Sequence, residues 1–419
     1  MRKLLVLLPT ILGCFSMSIA QHCATDIFFL QGVIENDDLI LKKAEIERFT
    51  QDWIADNAHS LLPRSVITIP VAVHIVWKEP VENISDEQIR SQIEALNRDY
   101  RAMNAEITSV PTIFKSVVAD VEIEFCLATR DPQGNATTGI TRTKTNVSQI
   151  GTQFIQGKRA ICFTDLGGHD AWNTAQYLNI WVGKSHPTFI GEANFPGMAE
   201  QGEDGIRMDP AYFGTIGTVT TPYHLGRTLT HEVGHYLNLL HPWGIRLNDP
   251  DCNSDDEVSD TPRQSSTFRG ECPPHPQVFC GTASMFMNFM NYTNDACLAM
   301  FSKGQKARML ATLNGIRSGL LSSVGCQPPV STDEESLLAK QIRLLENPVK
   351  SEIRLESSTI LNETILVRLV DSHGQLLFTD QWINGSIWTK DVGILPNGIY
   401  FLILQNRDAI FTKKIILMN

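Results

Sequence analysis

Apolar and polar positions along this 419-residue chain change rhythm several times, and each change marks an element. Val66 to Trp77 (VITIPVAVHIVW) alternates with the period of two of a strand. Ser85 and Gln88 form a capping box ahead of Ile89, Ile93, Leu96 and Tyr100, which fall on one helical face. Val121 to Leu127 and Tyr177 to Val182 (YLNIWV) read as further strands. Residues 224–244 (HLGRTLTHEVGHYLNLLHPWG) carry Leu225, Leu229, Val233, Leu237 and Leu240, which give a helix one buried face. Beyond His241 the periodicity fades, and residues 245–284 are rich in Asp, Pro, Ser and Cys. A dense apolar stretch follows (Met285 to Phe301), and then Ser302 and Gln305 cap a helix carrying Met309, Leu310, Leu313 and Leu320. Residues 326–338 (CQPPVSTDEESLL) have the composition of a linker. The last stretch is strand-like at Glu352 to Leu355, Ile365 to Val370, Gln375 to Phe378, Tyr400 to Leu404 and Phe411 to Leu417, with turns at Ser372 to Gly374 and Pro396 to Gly398. The pattern predicts an α+β domain, with a mixed α/β upper subdomain and a loop-rich lower one, followed by a small all-β sandwich.

The N-terminal end reads as export machinery. Arg2 and Lys3 precede an apolar run to Phe15, with small residues at Ser18 and Ala20, so residues 1–20 form a signal peptide cut after Ala20. Cys14 offers a second reading, lipid attachment. Residues 21–64 are polar and helical in pattern, with Ile46, Phe49 and Trp53 at helical spacing. They end in Leu61, Leu62, Pro63, Arg64, Ser65, an exposed basic cleavage site, and so read as a pro-segment. The expected organisation is signal peptide 1–20, pro-segment 21–64, catalytic domain 65–326, linker 327–340 and C-terminal domain 341–419. No later apolar stretch is long enough to span a bilayer. A net charge of -11 argues against nucleic acid or an anionic membrane as the main partner. Eight cysteines remain after cleavage at Ala20, an even number that suits disulfides in an exported chain without fixing their pairing. No internal repeat, Walker loop, GxGxxG or GxSxG pattern occurs.

The chemistry is concentrated in His231, Glu232, His235 and His241, the pattern HExxHxxxxxH. On a helix the first two histidines lie one turn apart and reach one metal ion, with Glu232 beside it. Ten residues of continuous helix would carry His241 roughly 15 Å from His231, so the helix must end near Asn238 and the chain must turn back. Three protein ligands leave one position open, the arrangement of a catalytic zinc. His74 and His224 read as packing or surface residues.

This long motif resembles that of the metzincin zinc endopeptidases, and HEVGHYLNLLHPWG is most similar to the pappalysin family. Asn238 stands where metzincins have Gly. Asn is among the residues that best tolerate the positive φ of that turn, so the structure should show Asn238 there. The resemblance implies a Met-turn with Met290 beneath the zinc, and Tyr292 placed to hydrogen-bond an oxyanion. It implies the disulfides Cys252–Cys280 and Cys272–Cys297, and an edge strand near Ile190 to Gly197 that takes an extended peptide. It also implies calcium in the loop containing Asp255, Asp256, Asp260 and Thr261; an ordinary solvated acidic loop is the other reading. Cys23 is placed to give a thiolate to the zinc and hold a zymogen latent, unless it is disulfide-bonded or simply free. Asp295 would line a pocket that favours Arg or Lys. Asn347, Pro348, LPNGIY (Leu395 to Tyr400) and Lys413, Lys414, Ile415 resemble the sorting domain of bacterial type IX secretion cargo. Trp382 and Trp388 leave a carbohydrate-binding or adhesive module open. The function implied is a secreted, zinc-dependent endopeptidase acting on protein or peptide substrates and made as a latent zymogen, with Glu232 taking the proton of a zinc-activated water. The rival is a non-catalytic metal-binding adhesin, against which the intact Glu232 argues.

Overall fold

The structure, a computed structural model, describes residues 22–26, 29–30, 38–57, 65–245, 252–329, 341–361, 364–371, 375–383, 385–406 and 410–418. The expected signal peptide, the expected cleavage site up to Arg64, residues 330–340 of the expected linker and the expected turn at Ser372 to Gly374 lie outside the described residues. Two compact units divide between Pro329 and Val330, inside the expected linker. No helix among the described residues is long and apolar enough to cross a membrane.

The first unit is built on a seven-stranded sheet. Its strands are β1 (His22–Cys23), β2 (Ile67–Trp77), β3 (Ile123–Leu127), β4 (Ile140–Lys144), β5 (Leu178–Val182), β6 (Phe189–Ala193) and β7 (Ile206–Met208). The order is β1-β6-β7-β5-β2-β3, and β4 pairs with β2 beyond β3 on the same side. All pairings are parallel except β6 with β7. The alternation in β2 predicts one buried face, yet Ile69 to Val76 are buried without interruption. A parallel strand in the middle of a sheet is covered on both faces, which explains its run of Val and Ile.

Helix α1 is Asp38–Asn57, α2 is Asp86–Tyr100, α3 is Arg227–Tyr236 and α4 is Lys303–Asn314. Ser85 caps α2 through the Gln88 N–H, but the capping box is only half made. The Gln88 side chain turns away to donate to the carbonyls of Pro210 and Phe213 in a neighbouring loop. The box at Ser302 and Gln305 on α4 is complete. In α1 the apolar stripe docks only in part: a Cβ at Gly315 would lie 2.3 Å from the Phe49 ring and one at Gly197 3.2 Å from Ile46. Phe49 is 42 % exposed, and the buried residue is Thr50. Polar contacts also hold this helix, as described below.

Among the described residues there are three disulfides: Cys252–Cys280 and Cys272–Cys297 in the loop region, as the resemblance implies, and Cys126–Cys326, which joins β3 to the end of the unit. Cys23 and Cys162 are buried and free.

The second unit is a sandwich of two antiparallel sheets. Strands β8 (Ile342–Leu344), β9 (Glu352–Leu361) and β12 (Gly385–Asp391) form one, in the order β8-β9-β12. Strands β10 (Ile365–Asp371), β11 (Leu376–Trp382), β13 (Gly398–Gln405) and β14 (Ile410–Leu417) form the other, in the order β11-β10-β13-β14. Trp382 and Trp388 lie in the core between the sheets and are not a sugar-stacking surface. The Asn347 side chain donates to the Lys414 carbonyl and accepts the Ile416 N–H, and the Tyr400 hydroxyl donates to the Pro396 carbonyl. The motif residues at both ends of the unit are thus parts of one hydrogen-bonded edge.

Candidate active site

Every residue of α3 is buried, so its position is fixed from all sides. The α2 helix holds it through Asp99, whose carboxylate accepts the Thr230 hydroxyl at 2.6 Å and pairs with Arg227 at 3.0 Å. Burial pushes the Asp99 carboxyl up to about 7, against the opposing pull of Arg227. Tyr100 donates to the Thr230 carbonyl.

At the other end the helix stops where the spacing argument requires. Asn238 has φ +72°, and the Leu239 N–H returns to the Gly234 carbonyl. That reversal brings the Leu239 carbonyl onto Nδ1 of His235 at 2.7 Å and lets His241 swing back toward the helix. The Nε2 atoms of His231, His235 and His241 then lie 3.0–3.1 Å from one another. Nδ1 of His231 faces the Phe289 carbonyl at 2.8 Å, and Nδ1 of His241 faces a carboxylate oxygen of Asp26 at 2.7 Å. Those partners only accept, so each Nδ1 carries the proton and the three Nε2 lone pairs point at one another. Burial and mutual repulsion hold His231 and His235 well below the usual imidazole range, His231 at about 3, so they stay neutral. Converging lone pairs on neutral imidazoles repel unless a cation lies between them. The donor set is that of zinc.

Cys23 completes the group, with its sulfur and the three nitrogens all within 4.8 Å of one another. The pairing of β1 with β6 (Cys23 opposite Gly191) carries it there. Burial and the neighbouring Glu232 and Asp26 carboxyls push its thiol well up in the metal-free arrangement. Glu232 accepts the Thr25 hydroxyl at 3.0 Å, and burial raises its carboxyl to about 8. Gly191 makes room for it: a Cβ there would lie 2.9 Å from the Glu232 side chain.

Met290 is fully buried, and its sulfur would be 2.4 Å from a Cβ at Gly234, between the two helical histidines. It therefore packs against the helix between the two histidines. The Tyr292 ring lies 4.9 Å from that of His241 and 5.5 Å from that of His231, and its side chain is hydrogen-bonded to Cys23. Asp295 is buried at the start of α3, where it accepts the Leu225 N–H at 2.7 Å, and it lines a pocket with Tyr223, Thr228 and Leu298. Asp256 and Asp260 do not converge. The first accepts the Thr261 hydroxyl, and the second accepts Ser302 and Gly304 at the cap of α4. His74 is buried between Thr141 and Asn179, a packing residue as expected.

The sequence reading missed Thr25, Asp26 and the docking of α1. Glu47 makes two 2.7 Å bonds to Arg308, which also donates to the carbonyl of Asn238, and Thr50 receives the Asn238 side chain at 3.4 Å. Nothing local in the sequence announces these partners.

Comparison with known proteins settles the family. A profile described as pregnancy-associated plasma protein-A matches residues 165–314. An extracellular metalloprotease of Arthroderma benhamiae is 30 % identical over 258 residues, 60 % of this chain and 80 % of its own. Mature mirolysin of Tannerella forsythia, solved in complex with a cleaved peptide, is 43 % identical with a TM-score of 0.58, covering 62 % of this chain and 97 % of its own. The chain belongs to the pappalysin family of metzincins. This pappalysin is a secreted zinc metalloendopeptidase, and the adhesin reading falls away. Promirolysin of the same organism, solved as a mutant, is 38 % identical with a TM-score of 0.63, covering 72 % of this chain and 97 % of its own. A secretion system C-terminal sorting domain profile matches residues 346–418.

Proposed function

We propose that this pappalysin leaves the cell as a latent zymogen, and that removal of residues 21–64 opens it to hydrolyse internal peptide bonds of proteins. His231, His235 and His241 hold a catalytic zinc, and Cys23 closes its fourth position in the zymogen. The observation that carries the reading is the convergence of three Nε2 lone pairs and the Cys23 sulfur beside a buried carboxyl. When bound, zinc supplies Lewis-acid polarisation of a water and of the scissile carbonyl. Glu232 takes the proton from the attacking water and passes it to the leaving amine; its raised proton affinity suits a group that must hold a proton between the two steps. Once β1 is gone, β6 is a free edge on which an extended substrate pairs. Tyr292, released from Cys23, turns its hydroxyl to the developing oxyanion, and Asp295 offers a carboxylate to a basic side chain in its pocket. The C-terminal sandwich is read by type IX secretion machinery. The same reading puts a structural calcium at Asp256, with Thr261 and loop carbonyls, and leaves Asp260 to cap α4.

The test is a pair of variants. Glu232→Ala should retain zinc and lose peptide hydrolysis by about 10²-fold or more. Cys23→Ala should hydrolyse a fluorogenic peptide without prior processing. An unchanged rate in the first variant, or continued latency in the second, would overturn the corresponding role.

A further inference from the structure

Two of the three histidines are oriented by the catalytic domain itself. His231 is bonded to the Phe289 carbonyl, 58 residues on, and His235 to the Leu239 carbonyl, four residues on. His241 differs, because the acceptor at its Nδ1 is Asp26, 215 residues away in the pro-segment. The other groups around the His241 ring, Trp243 stacked at 4.6 Å and Tyr292 edge-on at 4.9 Å, pack against it without accepting its Nδ1 proton. The other Asp26 oxygen is buried without a partner. A carboxylate half-satisfied in a buried site is costly unless the group it faces gains positive character, as an imidazole bound to a cation does.

We propose that Asp26 is a positioning residue for the third zinc ligand and that the pro-segment thereby makes the zymogen the metal-loading form of this enzyme. The inference rests on the reading of the three histidines as zinc ligands. Asp26 fixes the tautomer and orientation of His241 and raises its basicity while the chain acquires its metal. Removal of the pro-segment takes away both this acceptor and the Cys23 thiol. The mature site then opens one coordination position and loosens one ligand in the same event, so zinc leaves it more readily than it leaves the zymogen.

The full-length chain tests this without reference to catalysis. Zinc release into a chromogenic chelator at neutral pH is timed for wild type, Asp26→Ala, Asp26→Asn and Glu47→Ala. Loss of an outer partner of a zinc-bound histidine lowers metal affinity about 10–100-fold, so Asp26→Ala should release zinc faster by a factor in that range. Asp26→Asn keeps an acceptor oxygen and should fall between. Glu47→Ala loosens the pro-segment but leaves the acceptor at His241 Nδ1 in place, and should stay near wild type. If Asp26→Ala does not fold, the order of Asp26→Asn against wild type and Glu47→Ala decides. Equal release in wild type and both Asp26 variants overturns the proposal, as does equally fast release from Glu47→Ala. Cobalt substitution separates this from the latency reading: absence of a thiolate-to-cobalt charge-transfer band in the wild-type chain would sink the role of Cys23 while leaving the Asp26 comparison legible.

Discussion

Gly234 lies between the two helical histidines, and its replacement by alanine sets two effects against each other. In an open helix the change stabilises by about 1 kcal/mol, because glycine loses more backbone freedom on folding. Here the added methyl would lie 2.4 Å from the Met290 sulfur, 3.3 Å from its terminal methyl and 3.4 Å from Leu239 Cδ1. Ordinary contact between such atoms is about 3.5–4.0 Å, so the sulfur must retreat by about 1 Å or more. Met290 is fully buried and has little room to do so. Overpacking of this kind costs about 1–3 kcal/mol, which outweighs the helix gain in most of its range. Gly234→Ala should therefore lower stability by about 1 kcal/mol and speed zinc loss, because the methionine is pushed up against the imidazoles or out from under them. Met290→Ala alone should cost about 2–5 kcal/mol as a cavity. In the double variant the methyl occupies part of that cavity, so the two penalties should fall short of their sum by about 1 kcal/mol. Denaturant unfolding of the zinc-loaded chain, followed by fluorescence, reads all three. A Gly234→Ala variant as stable as wild type, or strict additivity in the cycle, would refute the packing argument.

Other outcomes follow from the same contacts. Asn238→Ala should destabilise by about 1 kcal/mol through its left-handed φ, whereas Asn238→Gly should be near neutral once the pro-segment is removed; equal melting temperatures for the two would count against the turn argument. Burial raises the Glu47 carboxyl, but the Arg308 hydrogen bonds and charge more than offset this and hold it below the usual range. A depressed carboxyl adds stability above its unfolded pKa of about 4.3 and loses it as pH falls through the folded value. Docking of α1 should accordingly weaken only in acid below about pH 4, and limited proteolysis against pH should show no such step in Glu47→Gln. Calcium chelation should lower the melting temperature of wild type and leave Asp256→Asn unmoved; a shift of the same size in both would remove Asp256 as a ligand.

What the sequence disclosed depended on distance along the chain. The three histidines fall within eleven residues, 231–241, and helix geometry alone demanded a break; the positive φ at Asn238 was expected from the Gly that the metzincin motif has there. Met290 needed the long motif to give it meaning; taken alone, it reads as core. Contacts across 200 residues or more left no local trace: Asp26 with His241, Thr25 with Glu232, Glu47 with Arg308, and the Cys126–Cys326 bridge. Strands β8 and β12 escaped because one has three residues and the other (GSIWTKD) is mostly polar, with Trp388 its buried side chain. The spacing of Ile46, Phe49 and Trp53 marked the α1 helix, but it could not name Glu47 and Thr50 as the residues that bond across to Arg308 and Asn238.

The two residues of β1 have a consequence for the molecule in transit. Strand β6 has β7 on one side and β1 on the other, so the chain's own leader covers part of the row of backbone donors and acceptors at this edge of the sheet. An uncapped row of that kind will accept any extended strand, including one from another copy, and proteins in general guard such rows against clumping. An enzyme that must leave a strand's edge bare in order to work can travel safely only while that edge is covered. Under the proposed activation, the cut that starts activity would also end this protection from self-association, which gives a physical reason for it to come after the crowded journey out of the cell.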